Sequence, residues 1–131
     1  MNEQYKGQER RQFKRSRVNF IITYRVNRPP EVIMVVGHKE IHAIMLDLSE
    51  AGLAILTRYN LPVSAILLMK FTLINPHAFG DSRIRRMEIL GEVRNNSLIQ
   101  EKERRIGILF IQIDKEDKQA IANFVKFSFN R

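Results

Sequence analysis

The chain contains no cysteine and no tryptophan, and only three histidines. Without thiols it has no disulfides and no Cys-ligated zinc or iron–sulfur centre, which fits a reducing compartment. His38, His42 and His77 would need carboxylates to hold a metal. His38 and His42 have the i, i+4 spacing of a helical metal pair, but "GHKEIHAIML" alternates like a strand, which would separate them by roughly 13 Å. No metal site is expected. The first residues, "MNEQYKGQERR", lack the apolar core of a secretion signal, and no later apolar run approaches the ~18 residues of a membrane span. A cytoplasmic protein is the expectation. Compact catalytic signatures are missing as well: there is no glycine-rich phosphate loop, no G-x-S-x-G elbow, no H-E-x-x-H and no Cys nucleophile. Asp47 beside Ser49 resembles half of a dyad, yet no histidine has a visible reason to join it. The chain reads as a binding protein, not an enzyme.

What is present suits one domain: 131 residues, 44% hydrophobic, are enough to bury a self-sufficient core. A formal charge of +8 favours an anionic partner such as nucleic acid, a nucleotide, a membrane surface or an acidic protein.

Residues 1–16 read as a flexible basic arm, with Lys6, Arg10, Arg11, Lys14 and Arg15 set against Glu3 and Glu9. From Arg17 the pattern changes, as Val18, Phe20, Ile22, Tyr24 and Val26 alternate with polar residues broken only by Ile21, the signature of a half-buried strand. The tandem prolines of "NRPPE" turn the chain. The apolar run at 32–36 and the segment 40–48 predict two more strands in a hairpin around Gly37. Gly52 restarts the chain into "LAILT", and the almost wholly apolar stretch 65–74 predicts a strand buried on both faces or closing a barrel. A loop is expected over 75–84, an amphipathic strand around Met87, Ile89, Gly91 and Val93, a second loop over "NNSLIQEKE", and a last strand in "RRIGILFIQI". Helical spacing of Ile121, Phe124 and Val125, with Asp114 as cap and Glu116 and Asp117 in the first turn, predicts a helix over about 115–129. The sum is a mainly β fold, a small antiparallel barrel over 17–131 with a helix covering one opening.

Two polar groupings carry the chemistry. In "DLSEAGLAI", at residues 47–55, period-two alternation places Leu46 and Leu48 on one face and Asp47 and Ser49 together on the other, beside a turn at Gly52. In "RRQFKR", at residues 10–15, Arg11 and Arg15 offer planar forks suited to phosphates, guanine O6 and N7, or stacking on a base. A carboxylate such as Asp47 accepts from the N1–H and N2–H edge of guanine, which adenine does not supply. Together these are complementary parts of a guanine-nucleotide site. Taken singly, the arm also reads as a solvated tail, and Asp47, Ser49 and Gly52 as a simple Asx- or Ser-turn. Arg83, Arg85 and Arg86, like Arg104 and Arg105, are expected to pair with Glu88, Glu92, Glu101 and Glu103 across exposed strands.

The order "RRQFKR", "DLSEAG", "GEVRN", "RIGILFIQI" and terminal helix resembles the PilZ domain family, whose signatures are R-x-x-x-R and [D/N]-x-S-x-x-G. Arg11 and Arg15 match the first; Asp47, Ser49 and Gly52 match the second. The resemblance implies a six- or seven-stranded antiparallel barrel that binds cyclic di-GMP (c-di-GMP), often as an intercalated dimer. It further implies that Arg11 and Arg15 grip phosphates and Hoogsteen edges, with Arg10 as a further contact, while Asp47, Ser49 and the Gly52 turn hold a guanine. No cofactor is implied beyond this ligand. The arm would order on binding and signal to an unidentified effector protein, by family analogy in motility, exopolysaccharide or secretion machinery. The rival readings are a small basic barrel binding RNA or single-stranded DNA, disfavoured by the lack of Trp and by Asp47, and a PilZ-like adaptor that binds no nucleotide.

Overall fold

The computed structural model describes residues 16–75 and 80–129. Its elements are β1 (Ser16–Arg28), α1 (Pro30–Val36), β2 (Ile41–Leu48), β3 (Gly52–Thr57), β4 (Ile66–Ile74), a 3₁₀ turn (Gly80–Arg83), β5 (Ile84–Gln100), β6 (Glu103–Gln112) and α2 (Lys115–Phe129). The strands form a closed barrel in the order β1-β2-β3-β6-β5-β4, every neighbouring pair antiparallel. The mainly β barrel and the terminal helix are as the sequence pattern predicts.

Alternation explains the strands. In β1, Ile22, Tyr24 and Val26 fill the interior, whereas Ile21, which interrupts the polar face in the sequence, is 65% exposed. β4 sends Leu67, Met69, Phe71 and Leu73 inward and closes the barrel against β1, pairing Thr23 with Lys70 through Arg28 with Ile66.

Two expectations need correction. The run at 32–36 is not a strand and makes no hairpin around Gly37: it belongs to α1, which begins with Pro30 at a position where its missing N–H is harmless and ends at Gly37 with φ +98°. Val32, Ile33 and Val36 pack toward the core, the i, i+1, i+4 set of one helical face, while Met34 and Val35 are 86% and 84% exposed. The polar stretch expected as a loop after residue 94 instead continues β5 to Gln100, turning at Glu101 and Lys102, the latter with φ +63°. Extra residues on β5 at two of its three register shifts against β6, after Val93 and after Leu98, are bulges that let the long strand follow the barrel's curvature.

At one end of the barrel α2 buries Ile121 and Val125, and Phe124 lies against Phe20 with ring centroids 5.7 Å apart. Its first turn is tied to β5 by Arg85, whose Nε donates to Asp117 Oδ1 at 2.7 Å and whose guanidinium reaches Glu116 at 3.8 Å. Arg85 therefore anchors the helix, contrary to the expected pairing with Glu88 or Glu92 on its own sheet. Asp117 is a buried carboxylate whose charge this contact compensates.

Inside the barrel the Tyr24 hydroxyl shares a 2.8 Å hydrogen bond with Thr57 Oγ1. Burial pushes the phenol up to about 12, a rise that the Thr57 bond only moderates. The folded state thus holds the Tyr24 proton more tightly than the unfolded chain. This contribution is complete below the unfolded value near 10 and is lost as pH rises toward the folded value. Tyr24→Phe is expected to lower stability by about 1 kcal/mol at neutral pH, from the broken bond. Between pH ~10 and ~12 the wild type should lose roughly 2–3 kcal/mol more than the variant. Urea denaturation of both proteins across that window checks this, and parallel alkaline declines would contradict it.

Candidate functional site

The polar stretch that follows Met45 begins with a break in β2. Met45 pairs with Ile55 and Asp47 with Ala54, so β2 carries one residue more than β3 across that step. Leu46 is the extra residue. The bulge shifts the alternation, so that Met45 and Leu48 are both fully buried, Leu46 is half-buried, and Asp47 stays outward. Leu46 and Leu48 therefore do not share a face, as strict alternation would have them do.

Asp47 opens a lateral row across the outer wall. Arg17 of β1 pairs with Asp47 of β2, Asp47 with Ala54 of β3, Ala54 with Gly107 of β6, and Gly107 with Asn95 of β5. The two middle residues are small, and Asp47, Ser49, Ala51, Gly52, Ala54, Arg94, Asn95, Arg105 and Gly107 line a groove of about 200 Å³ over them. At one wall Arg105 Nη2 donates to Asp47 Oδ2 at 2.5 Å. At the other, Asn95 lies over β6 and accepts from the Gly107 N–H at 3.1 Å; a Cβ at residue 107 would collide with the Asn95 amide. Arg94, more than half exposed, lies 3.4 Å from Glu92.

Ser49 does not stand beside Asp47 as a second polar probe. It is 7% exposed, and its Oγ donates to the Gly52 carbonyl at 3.2 Å while accepting from the N–H groups of Ala51 at 3.2 Å and Gly52 at 3.3 Å. One donor and two lone pairs are a hydroxyl's whole capacity, so Ser49 is fully committed to the turn. Gly52 has a different requirement from the positive φ expected of a turn glycine: only Gly37 and Gly80 have positive φ among the described glycines. A Cβ at residue 52 would lie 2.0 Å from the Ile108 carbonyl oxygen, because β6 passes directly over it. The turn reading thus holds for Ser49 but not for Gly52, which lacks the expected positive φ and is required instead by the close approach of β6, while the Asp47 carboxylate faces the groove.

Arg10, Arg11 and Arg15 lie outside the described residues. The chain they lead into is placed: Ser16 pairs with Leu48 and Arg17 with Asp47, so β1 starts at the Asp47 end of the groove. The sequence pointed to neither Arg94 nor Arg105 as a groove residue. Arg105 alternates with the buried Ile106, which marks it as outward-facing, but only the pairing of β6 with β3 brings it to Asp47. Of its expected acidic neighbours, Glu103 accepts a hydrogen bond from Gln100 instead, and the adjacent Arg104 donates to Asn96 Oδ1 at 3.1 Å. A larger groove of about 800 Å³ between β1, β4 and β5 is lined by Ile21, Phe71, Ile74 and Met87 among others, and holds no motif residue. Among the described residues no cluster of three His, Asp or Glu side chains is placed to share a metal, and no helix is long and apolar enough to cross a membrane.

Solved structures share this fold at low identity. The Bacillus subtilis inhibitor of motility (MotI/DgrA) superposes with a TM-score of 0.70 at 18% identity, over 93% of this chain and 53% of its own. The PilZ domain of YcgR from Escherichia coli, solved with c-di-GMP, gives 0.61 at 12% identity, over 92% of each chain. The K. pneumonia MrkH–c-di-GMP complex gives 0.62 at 15% identity, over 92% of this chain and 53% of its own. The chain therefore spans about half the length of the motility inhibitor and of MrkH. No curated protein sequence matches it. The PilZ domain family, whose members are c-di-GMP receptors and generally non-catalytic, matches at residues 9–127, from before the first strand into the terminal helix. With a closed six-stranded barrel, a terminal helix and that match along nearly its whole length, the chain belongs to the PilZ domain family.

Proposed function

We propose that this chain is itself a c-di-GMP receptor, reading the ligand with two cooperating parts and passing the response to a partner protein. The observation that carries the reading is the convergence at the groove: Asp47, the Ser49–Gly52 turn, Arg94, Asn95 and Arg105 line it, and β1 starts beside it. c-di-GMP offers two guanines and two phosphate charges. Asp47 accepts from a guanine's N1–H and N2–H at the wall of the groove above Ala54 and Gly107.

Arg15 is one residue from Ser16, and Arg11 lies within about 17 Å of chain, so both side chains can reach a ligand seated at Asp47. They take the phosphates and the Hoogsteen edges, with Arg10 as an additional contact, because a guanidinium fork binds either bidentately. Arg94 adds a cation on the far wall. Ser49 and Gly52 act indirectly, one by bracing the turn and the other by letting β6 close over it. Closing of residues 1–16 over the ligand changes the surface at the Asp47 end of the barrel, and that change is what a partner reads.

Calorimetry tests this directly. Wild type should bind c-di-GMP in the micromolar range or tighter, and Arg15→Ala and Asp47→Ala should each weaken binding by about tenfold or more, the loss of one charge-assisted contact. Absence of wild-type binding, or nucleic-acid affinity that falls steeply with salt and ignores c-di-GMP, would overturn the proposal. Gly52→Ala should behave differently, losing about 2–4 kcal/mol of folding stability in urea denaturation, because the new methyl meets a backbone carbonyl. A Gly52→Ala protein of wild-type stability that fails to bind would instead make the glycine a ligand contact.

A further inference from the structure

Arg105 belongs to neither signature motif, yet its ion pair with Asp47, at 2.5 Å, ties one wall of the groove to the motif's carboxylate. We infer that Arg105 is the positioning residue that gives the groove its guanine selectivity, by fixing the plane of the Asp47 carboxylate; the inference rests on the c-di-GMP reading above.

Three observations support it. The pair is sheltered, with the Asp47 side chain 16% and the Arg105 side chain 34% exposed, so its orientation is held more firmly than a surface pair's. It also lies over the floor of the groove. Ala54 sits between the inward-facing Leu53 and Ile55 and so faces outward, yet it is only 2% exposed, covered by the side chains that line this wall. Third, Asp47 stands next to the bulge at Leu46, where the ladder is interrupted and the strand alone does not fix the direction of a short side chain.

The chemistry explains why an anchor is needed. The guanine edge offers two parallel N–H donors and requires a carboxylate whose two oxygens lie in the plane of the base. A carboxylate with no cation beside it would also repel the two phosphate charges of the ligand. Arg105 meets both demands with one contact. Each carboxylate oxygen has two lone pairs, so the Arg105 bond to Oδ2 and the guanine bonds can coexist. The arm's arginines act on the ligand; Arg105 acts on Asp47.

The test compares c-di-GMP with c-di-IMP, whose hypoxanthine lacks the N2 amino group, by calorimetry on wild type, Arg105→Gln and Arg104→Gln. Wild type should favour c-di-GMP by about tenfold, the value of one hydrogen bond to a charged acceptor. Arg105→Gln should weaken c-di-GMP by about tenfold or more and bring the preference to within about twofold of unity, because Asp47 no longer faces the N2 amino group. Arg104→Gln removes the same charge from the same strand, from a side chain bonded to Asn96 and outside the groove lining, and should keep the preference. Equal weakening of both ligands by Arg105→Gln, with the preference intact, would make Arg105 a phosphate contact or a general field effect and overturn the inference alone. Absence of wild-type c-di-GMP binding would overturn it together with the proposed function. Should Arg105→Gln fail to show a cooperative thermal transition, Arg105→Lys, which keeps the charge and loses the fork, is read in its place: a preference reduced by at least about threefold supports the inference, and an unchanged preference overturns it.

Discussion

The contact on which this barrel's polar groove depends is the pairing of β3 with β6. It joins residues more than fifty positions apart, setting Gly52 against Leu109 and Ala54 against Gly107, and it demands that β6 lie over Gly52 with no Cβ between them. Without that approach the turn after β2 would lack its cover from β6, and Asp47 would lie beside an open sheet edge at β3. With it, a row of five strands is fixed in register from Arg17 to Asn95, and the small residues at its centre leave a depression between two polar walls. The glycine of the second motif is thus a condition for building the groove before it is a condition for filling it.

The same geometry divides the motif's labour. Ser49 satisfies the polar groups of the turn and is left with no hydrogen-bonding capacity for anything else. Gly52 makes room for a neighbouring strand. Asp47 alone has an outward charge, and it is displaced from simple alternation by a bulge. A three-residue signature in sequence is therefore one chemical group on two structural supports. On the proposed reading, losing a support would remove the site by moving it, a different failure from losing a contact, and the two separate in a stability measurement.

How much of this the sequence carried follows from how local each feature is. Period-two alternation in β1 and around Met87 in β5 is decided within each strand and so is readable, as is the helix with Ile121, Phe124 and Val125 on one face. The α1 segment reads as a strand in sequence because Val32 to Val36 is apolar throughout, and a short unbroken run rich in β-branched residues has the pattern of a buried strand. Only its burial pattern, with Met34 and Val35 turned to solvent, reveals the helical face. β5 ran past its expected end because "NNSLIQ" is polar enough for a loop but is held as a ladder by β6. Arg85 and Arg105 were assigned to nearby glutamates, whereas their partners are Asp117 and Asp47, 32 and 58 residues away. Sequence proximity is a poor guide to ion pairs when antiparallel strands bring distant positions side by side.

That last point also bears on the charge balance. A net charge of +8 attracts anions without choosing among them, and R-x-x-x-R is a pattern that any phosphate ligand could use. Selectivity has to come from a group that nonspecific anions would avoid, and a carboxylate is such a group. As the proposed guanine acceptor, Asp47 would penalise bare phosphate chains by repulsion and reward only a ligand that presents N–H donors beside its charge. For that penalty not to exclude a dianionic nucleotide as well, the carboxylate must be partly neutralised and held still, which is what a cation on β6, reaching across β3, supplies. On the proposed reading the basic residues before β1 supply attraction and the barrel supplies discrimination, with the Asp47–Arg105 pair reconciling the two requirements.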